Sequence, residues 1–194
     1  CALSESGVVA DVLEADVSDA KQIEQVVGYT KDKFGRIDGL VNNAAIRPIG
    51  NILETDEKLF DVTIAVNLKG QFLLSKAVIP QMIDAGGGAI VNIASGAGWG
   101  KPGLLAYSAS KGGVFAMSKA LAYDHLMDKI RVNVVVPGPQ TTSGMVEESA
   151  KFGTSQKVLT VSGRNTLPWD VANATAFLLS DDAQQISGSV LDVG

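Results

Sequence analysis

The residues of this chain best suited to do chemistry are a tyrosine and a lysine four positions apart, Tyr107 and Lys111. On a helix, positions i and i+4 lie on one face, so the lysine ammonium can sit near the phenol and favour its ionised form. A phenol held in this way can exchange a proton near neutral pH. Ser95 follows an apolar run upstream, and its hydroxyl can hold a carbonyl oxygen while the phenol protonates it. These residues predict carbonyl reduction in which a cofactor delivers hydride.

The same spacing occurs a second time, in Tyr29 and Lys33. This copy falls inside an amphipathic helical pattern, without a strand end or a hydroxyl-bearing loop just upstream. We therefore interpret it as a solvated neighbour pair. Tyr107 opens a helix after a strand end, and small residues at 108–110 and 112–113 would let a bulky ligand lie close to that helix.

Two groups of glycines could form a phosphate-binding turn or only end a helix. Gly98, Gly100 and Gly103 have the spacing of the dinucleotide fingerprint and follow a strand pattern. Pro102 removes a backbone donor where a pyrophosphate needs one, and the next strand ends without the acidic residue that binds ribose. We therefore reject the fingerprint and predict a flexible loop over the active-site edge. The glycines at 86–88 predict a helix stop and a turn.

The elements that must position these residues alternate between strand and helix. Apolar runs rich in β-branched residues predict buried strands at 12–17, 37–41, 89–93, 130–136 and 189–193. Amphipathic patterns predict helices at 20–34, 57–85, 107–126 and 170–179. Strands joined by helical crossovers run parallel, with helices on both faces of the sheet. The sequence therefore predicts a Rossmann-like, doubly wound parallel α/β sheet in one domain over 1–194, with 138–167 as a loop of the size used for lids.

Composition limits the class of protein and its partners. Hydrophobic residues make up 46% and charged residues 19%, as in ordinary globular proteins. A net charge of -5 and scattered basic residues argue against nucleic acid, and the absence of an apolar run of about 18 residues argues against a membrane span. One cysteine, Cys1, and no leader segment predict a cytoplasmic protein. No Cys/His cluster or carboxylate pair predicts a metal site.

Taken in order, these motifs resemble the short-chain dehydrogenase/reductase family over essentially the whole chain. Residues 40–45 (LVNNAA) are similar to the family's sheet-stabilising and cofactor-lining motif, and Asn67 is similar to the helix asparagine that holds a water in its proton relay. The catalytic tetrad that the resemblance implies is Asn67, Ser95, Tyr107 and Lys111. The cofactor-binding residues that it implies are Asp16, Val17, Asn43, Ala44, Tyr107, Lys111, Pro137, Gly138, Gln140 and Thr142.

The chain departs from the family pattern at three positions. Ala45 replaces the commoner glycine, and Gln140 stands where a small aliphatic residue often contacts the nicotinamide carboxamide. Ser95 lies one residue closer to Tyr107 than in many members, so its assignment over Ala94 rests on side-chain chemistry.

The family's first strand, its glycine-rich turn and most of the second βα unit have no counterpart here, and the chain begins at Cys1. We therefore expect an N-terminally truncated fragment in which the strand at 12–17 lacks its lateral neighbours. Residues 1–36 should then be loosely held or shifted and the chain prone to aggregation. Without the glycine turn, NAD(P)H binding should be weak.

The resemblance implies an oxidoreductase that moves a hydride between NAD or NADP and a small-molecule carbonyl or alcohol. It also implies a homodimer or homotetramer, because the family pairs helices between subunits. The alternative is a catalytically silent fragment or interaction subunit of the same fold that binds no cofactor. A serine hydrolase would need a G-x-S-x-G elbow, which Ser95 lacks. Trp99 and Trp169 are expected in the core or in a pocket wall, and His125 at the surface.

Overall fold

A four-stranded parallel sheet lies at the centre of the computed structural model, which describes residues 7–138 and 160–194. The strands follow chain order across the sheet, each hydrogen-bonded to the next. They are β1 (Gly39–Asn42), β2 (Gly88–Ile93), β3 (Ile130–Pro137) and β4 (Val190–Val193). The predicted fold class and four of the five predicted strands are confirmed.

One helix precedes β1, and the others connect successive strands, as crossovers between parallel strands require. They are α1 (Ala20–Phe34), α2 (Glu57–Ile64), α3 (Gly70–Asp84), α4 (Leu105–Asp124) and α5 (Pro168–Leu179). A π-helical turn, Ala65–Lys69, joins α2 to α3, so the single helix predicted at 57–85 is continuous but widened at its centre. Short 3-10 turns follow β2 (Gly96–Trp99) and α5 (Asp181–Ala183).

Both faces of the sheet are covered by helices. Alternate residues of a strand point to opposite faces, and along β2 Ile90 packs with α1 and α3, whereas Val91 packs with α5. On the first face, Ile23 of α1 and Met82 of α3 are almost completely buried. On the second face, Leu178 of α5 is equally buried. Because β2 and β3 are buried on both faces, most of their residues are apolar.

Local signals set the helix boundaries. The Asp19 carboxylate accepts hydrogen bonds from the backbone N–H groups of Lys21 at 2.8 Å and Gln22 at 3.4 Å, and so caps α1. α3 ends at Asp84, and Gly86 follows with a φ of 89° in the left-handed region, while the Gly87 N–H donates to the Met82 carbonyl at 2.9 Å. The predicted glycine stop is confirmed.

The strand predicted at 12–17 is wrong. This segment forms no regular secondary structure and has no strand partner among the described residues, and Val12 is 86% exposed. A β-strand needs a neighbour that accepts and donates its backbone hydrogen bonds, and an apolar run does not reveal whether that neighbour is present. The expectation that residues 1–36 are loosely held or shifted stays a prediction; within them, Ile23 and Val27 of α1 are buried in the core together with residues of α3.

The helix Glu57–Asp84 is long and apolar enough to cross a bilayer by length and composition. In the fold, its residues Val78, Ile79 and Met82 are buried in the core on the first face of the sheet. Packing in the core therefore accounts for much of its apolar character.

Candidate active site

Lys111 lies in the second turn of α4, over the carboxyl end of β2. Its side chain is 1% exposed, and its ammonium group donates a hydrogen bond to the Ile93 carbonyl at 2.6 Å. Burial lowers the pKa of Lys111 to about 8 because a charged amine loses its hydration inside the protein. One N–H of the ammonium is occupied by this carbonyl, which leaves further donors for a ligand or for Tyr107.

Tyr107 precedes Lys111 by one helical turn and is half-buried. The Lys111 ammonium lies 5.9 Å from the centroid of the Tyr107 ring. Two backbone hydrogen bonds to Gly50 hold the start of α4. The Gly50 N–H donates to the Gly103 carbonyl at 2.8 Å, and the Leu105 N–H donates to the Gly50 carbonyl at 3.1 Å. The loop after β1 thus holds the turn that carries Tyr107.

Ser95 follows β2 and begins the 3-10 turn that lies against α4. Its hydroxyl oxygen accepts a hydrogen bond from the Ala97 N–H at 3.2 Å, and within the described residues its proton is left available to donate. The turn approaches α4 closely at Gly98, where an added Cβ would lie 2.5 Å from Phe115 and 2.9 Å from the Lys111 carbonyl carbon. Glycine at 98 therefore sets how near Ser95 can come to the helix.

Asn67 lies in the π-helical turn and is fully buried. Its amide oxygen accepts from the Ile46 N–H at 2.8 Å, and its amide nitrogen donates to the Ile46 carbonyl at 2.8 Å. The same nitrogen donates to the Ser110 hydroxyl at 3.0 Å, which in turn donates to the Tyr107 carbonyl at 2.7 Å. Sequence reasoning missed Ile46 and Ser110, and neither carries a signal beyond its place next to a motif.

Contacts therefore join three of the proposed catalytic residues. Asn67 reaches the Tyr107 backbone through Ser110, and Lys111 faces the Tyr107 ring. Lys111 also binds the carbonyl of the residue two positions before Ser95. All four side chains belong to segments at the carboxyl edge of the sheet, where such folds bind ligands.

The residues proposed to line a cofactor are distributed around the same edge. Asn43 and Ala44 directly follow β1 and are exposed. Val17 contacts the start of α3, where an added Cβ at Gly70 would lie 3.0 Å from Val17 Cγ2. The Asp16 carboxylate accepts from the Ser18 N–H and hydroxyl, and these hydrogen bonds lower the pKa of Asp16.

Pro137 and Gly138 close the other side of this edge. Pro137 ends β3, and the Gly138 N–H donates to the Val193 carbonyl at 2.9 Å. A Cβ at Gly138 would lie 2.6 Å from Gly194 Cα, so the two chain segments touch there. Gln140 and Thr142 lie outside the described residues.

A buried polar ladder, also missed from the sequence, ties the sheet to α4. The Asn42 amide nitrogen donates to the Asn92 amide oxygen at 2.7 Å, and the Asn92 amide nitrogen donates to the Ser118 hydroxyl at 2.8 Å. Asn42 is the first asparagine of the LVNNAA segment, so this contact gives the sheet-stabilising half of that motif a structural basis.

The sequence also predicts places for the two tryptophans and for His125. Trp99 and Trp169 are 63% and 61% exposed, which excludes the core; a place in a pocket wall stays a prediction. Trp99 stacks on Phe115 with ring centroids 4.7 Å apart. His125 is only half-buried at the end of α4 and pairs with Asp128 at 2.7 Å.

The second tyrosine–lysine copy differs from the first in exposure. Tyr29 is 38% exposed, and the Lys33 ammonium donates to its hydroxyl at 3.2 Å. Both side chains also donate to the Asp11 carboxylate. The copy is therefore a solvated surface cluster, in agreement with its interpretation from the sequence.

Comparison with known proteins identifies the family. A family model described as enoyl-(acyl carrier protein) reductase matches residues 2–194. A short-chain dehydrogenase/reductase structure from Burkholderia xenovorans superposes with a TM-score of 0.90 at 33% identity, covering 98% of this chain and 75% of that one. The chain belongs to the short-chain dehydrogenase/reductase family.

Relatives within the short-chain dehydrogenase/reductase family support oxidoreductase activity. An uncharacterized oxidoreductase of Thermotoga maritima is 42% identical over 184 residues, which cover 90% of this chain and 72% of the relative. The 2-(S)-hydroxypropyl-CoM dehydrogenase 3 of Xanthobacter autotrophicus is 37% identical over 198 residues, which cover 98% of this chain and 78% of the relative.

Proposed function

We propose that this protein is an NAD- or NADP-dependent oxidoreductase that moves a hydride between the cofactor and a carbonyl or alcohol. The observation that carries the proposal is the buried ammonium of Lys111 beside the Tyr107 ring, at the ligand-binding edge of a parallel sheet. A lysine hidden from water without a carboxylate partner is costly, and such sites are concentrated where chemistry is done.

The residues at this edge fit a nicotinamide dinucleotide. Asn43 and Ala44 leave exposed polar backbone and an amide side chain just after β1, which suits a ribose. Lys111 keeps ammonium donors free for hydroxyl groups. The buried side-chain amide oxygen of Asn42 (Oδ1) accepts no hydrogen bond from the described residues, so an acceptor is left unused at the end of β1.

The chain's own residues supply the proton chemistry. When bound, a nicotinamide supplies the hydride that adds to the carbonyl carbon. Ser95 donates a hydrogen bond to the carbonyl oxygen, and Tyr107 transfers its phenolic proton to that oxygen as it becomes an alcohol. The Lys111 ammonium stabilises the phenolate left behind. Asn67 holds the π-helical turn against the start of α4. Alcohol oxidation reverses each step.

Binding measurements test the proposal against its alternatives. Titration with NADH and with NADPH, followed by nicotinamide fluorescence, should give weak but saturable binding to at least one of them. No binding to either would favour a silent fragment or interaction subunit of the same fold. Labelling of Ser95 by a fluorophosphonate probe would instead indicate a serine hydrolase.

The same proposal includes the oligomeric state, the cellular location and the partners of the protein. We expect a homodimer or homotetramer in the cytoplasm that acts on a small molecule, without nucleic acid or membrane partners. Exposed apolar residues on α2, α3 and α4 support the oligomer, because isolated monomers rarely leave such surfaces uncovered.

A further inference from the structure

Ser110 lies between the proposed proton donor and the π-helical turn. Its side chain is fully buried, it accepts a hydrogen bond from the Asn67 amide at 3.0 Å, and it donates one to the Tyr107 carbonyl at 2.7 Å. Both its donor and an acceptor lone pair are therefore used. No ligand can reach this hydroxyl directly.

The hydroxyl completes a chain of contacts from the loop after β1 to Tyr107. Asn67 is bonded to both backbone groups of Ile46, two residues beyond the exposed Ala44. The central link, between Asn67 and Ser110, is buried, and the links to Ile46 and to the Tyr107 carbonyl are partly buried. Water therefore has little access to the middle of the chain, and a shift of Asn67 is passed on to Ser110. The chain thus couples the proposed cofactor-lining loop to the backbone of the proton donor.

We infer that Ser110 is a positioning residue for proton transfer, fixing the first turn of α4 so that the Tyr107 phenol points at the substrate oxygen. The inference rests on the proposed function of Tyr107. An oriented donor matters because a displacement of about 1 Å can cost about 100-fold in rate. Ser110 acts through Tyr107 and touches neither substrate nor cofactor.

The same helix contains a matched control. Ser118 is also buried, accepts a hydrogen bond from the amide of a buried asparagine (Asn92) at 2.8 Å, and donates to a helix carbonyl (Val114) at 2.6 Å. Its hydroxyl therefore makes the same kinds of hydrogen bond as that of Ser110. It differs in that its donor lies in β2 and its acceptor is a core valine rather than the proposed proton donor.

The test compares Ser110→Ala with Ser118→Ala in the same protein. Reduction of ethyl acetoacetate with NADH or NADPH is followed by steady-state kinetics. Both variants should lose thermal stability, since each leaves a buried amide hydrogen unpaired. Only Ser110→Ala should lower kcat, by about 10-fold, with KM for both reactants within about 3-fold. Equal kcat values in the two variants would overturn the inference.

A readout independent of activity separates this inference from the proposed function. With ¹³C-labelled tyrosine, Ser110→Ala should shift or broaden the Tyr107 ring signal, whereas Ser118→Ala should not; Tyr29 and Tyr123 give internal references. An unchanged Tyr107 signal contradicts the positioning role, whatever the activity of Tyr107→Phe. If Ser110→Ala does not fold, Ser110→Cys decides, because its weakly donating thiol should give the same changes at reduced size.

Discussion

Burial separates the two tyrosine–lysine pairs of this protein more clearly than spacing does. Lys33 is exposed, and its hydrogen bond to Asp11 raises its pKa. Lys111 has no carboxylate partner in the part of the chain that the structure describes, and burial lowers its pKa to about 8. A lysine that loses its charge just above neutral pH can change its effect on a neighbouring phenol within the working range of an enzyme. The surface pair cannot do this.

The buried lysine predicts a pH dependence of stability. Below about pH 8, Lys111 is charged in both the folded and the unfolded protein, and burial of its charge destabilises the folded state in full. Between about pH 8 and 10.5, the unfolded state binds more protons than the folded state, so the free energy of unfolding rises with pH. The gain amounts to about 3 kcal/mol.

Urea unfolding of the parent and of Lys111→Met, at about pH 7 and about pH 10, checks this prediction. The stability of the parent relative to the variant should increase at the higher pH. Subtracting the variant removes the contribution of other groups that titrate in this range. A difference between parent and variant that does not depend on pH would show that the Lys111 ammonium is not destabilised by burial.

At the scale of elements, the site depends on a close fit between the 3-10 turn and α4. Gly98 lies where no side chain fits, and Gly112 opposite it would place an added Cβ 3.0 Å from the Gly98 carbonyl oxygen. Two glycines facing each other allow the turn that Ser95 begins to approach Lys111. Of the three glycines that resemble a phosphate-binding pattern, Gly98 thus serves backbone packing, whereas Gly100 and Gly103 have open space around an added Cβ and adopt φ values of 100° and 72°.

Gly98→Ala should therefore damage both stability and catalysis. The new methyl group would overlap Phe115 and the α4 backbone, which should lower the free energy of unfolding by about 2 kcal/mol and displace Ser95. Gly96→Ala is the control, because its Cβ would meet only Trp99, at 4.0 Å. Chemical unfolding and turnover measure the two effects. Equal behaviour of both variants would refute the proposed close fit.

Much of this element structure could be predicted because its signals are local. The Asp19 cap, the glycine stop after α3 and the largely apolar sequences of β2 and β3 each indicate their own conformation. The tyrosine and lysine of α4 were predictable from helical periodicity. The strand at 12–17 was not, because pairing depends on a neighbour that the run itself does not encode.

The features of the site that could not be predicted depend on tertiary contacts instead. The π-helical turn at Asn67 depends on tertiary packing, since residues 65–69 have ordinary helical composition. Ser110 sits in a run of small residues in which nothing distinguishes it from Ser108. Only the fold shows that one serine faces a buried amide and the other the loop at Lys101.

At the scale of the whole molecule, the helices on one face of the sheet leave apolar side chains uncovered. Phe60 and Val62 on α2, Phe72 on α3 and Leu105 and Tyr123 on α4 are between 37% and 61% exposed. Burial of such side chains stabilises an assembly by about 25 cal/mol per Å² of apolar surface. The proposed homodimer or homotetramer would cover part of this surface.

Light scattering at micromolar concentration should therefore give a mass of two or four chains. Phe72→Asp places a charge on this surface and should shift the protein toward monomer. Gln25→Glu on the exposed side of α1 adds a charge elsewhere and should leave the mass unchanged. A monomer for the parent protein, or the same mass for all three proteins, would contradict the proposed assembly surface.

Replacement of Tyr107 is the decisive experiment for the proposed active site. Tyr107→Phe keeps the ring and removes the phenolic proton, so NADH or NADPH consumption with simple ketones should fall at least about 100-fold while cofactor affinity changes little. Tyr29→Phe removes the hydroxyl of the surface copy and should leave turnover unchanged. Turnover by Tyr107→Phe within a few-fold of the parent would remove Tyr107 from the mechanism and with it the proposed active site.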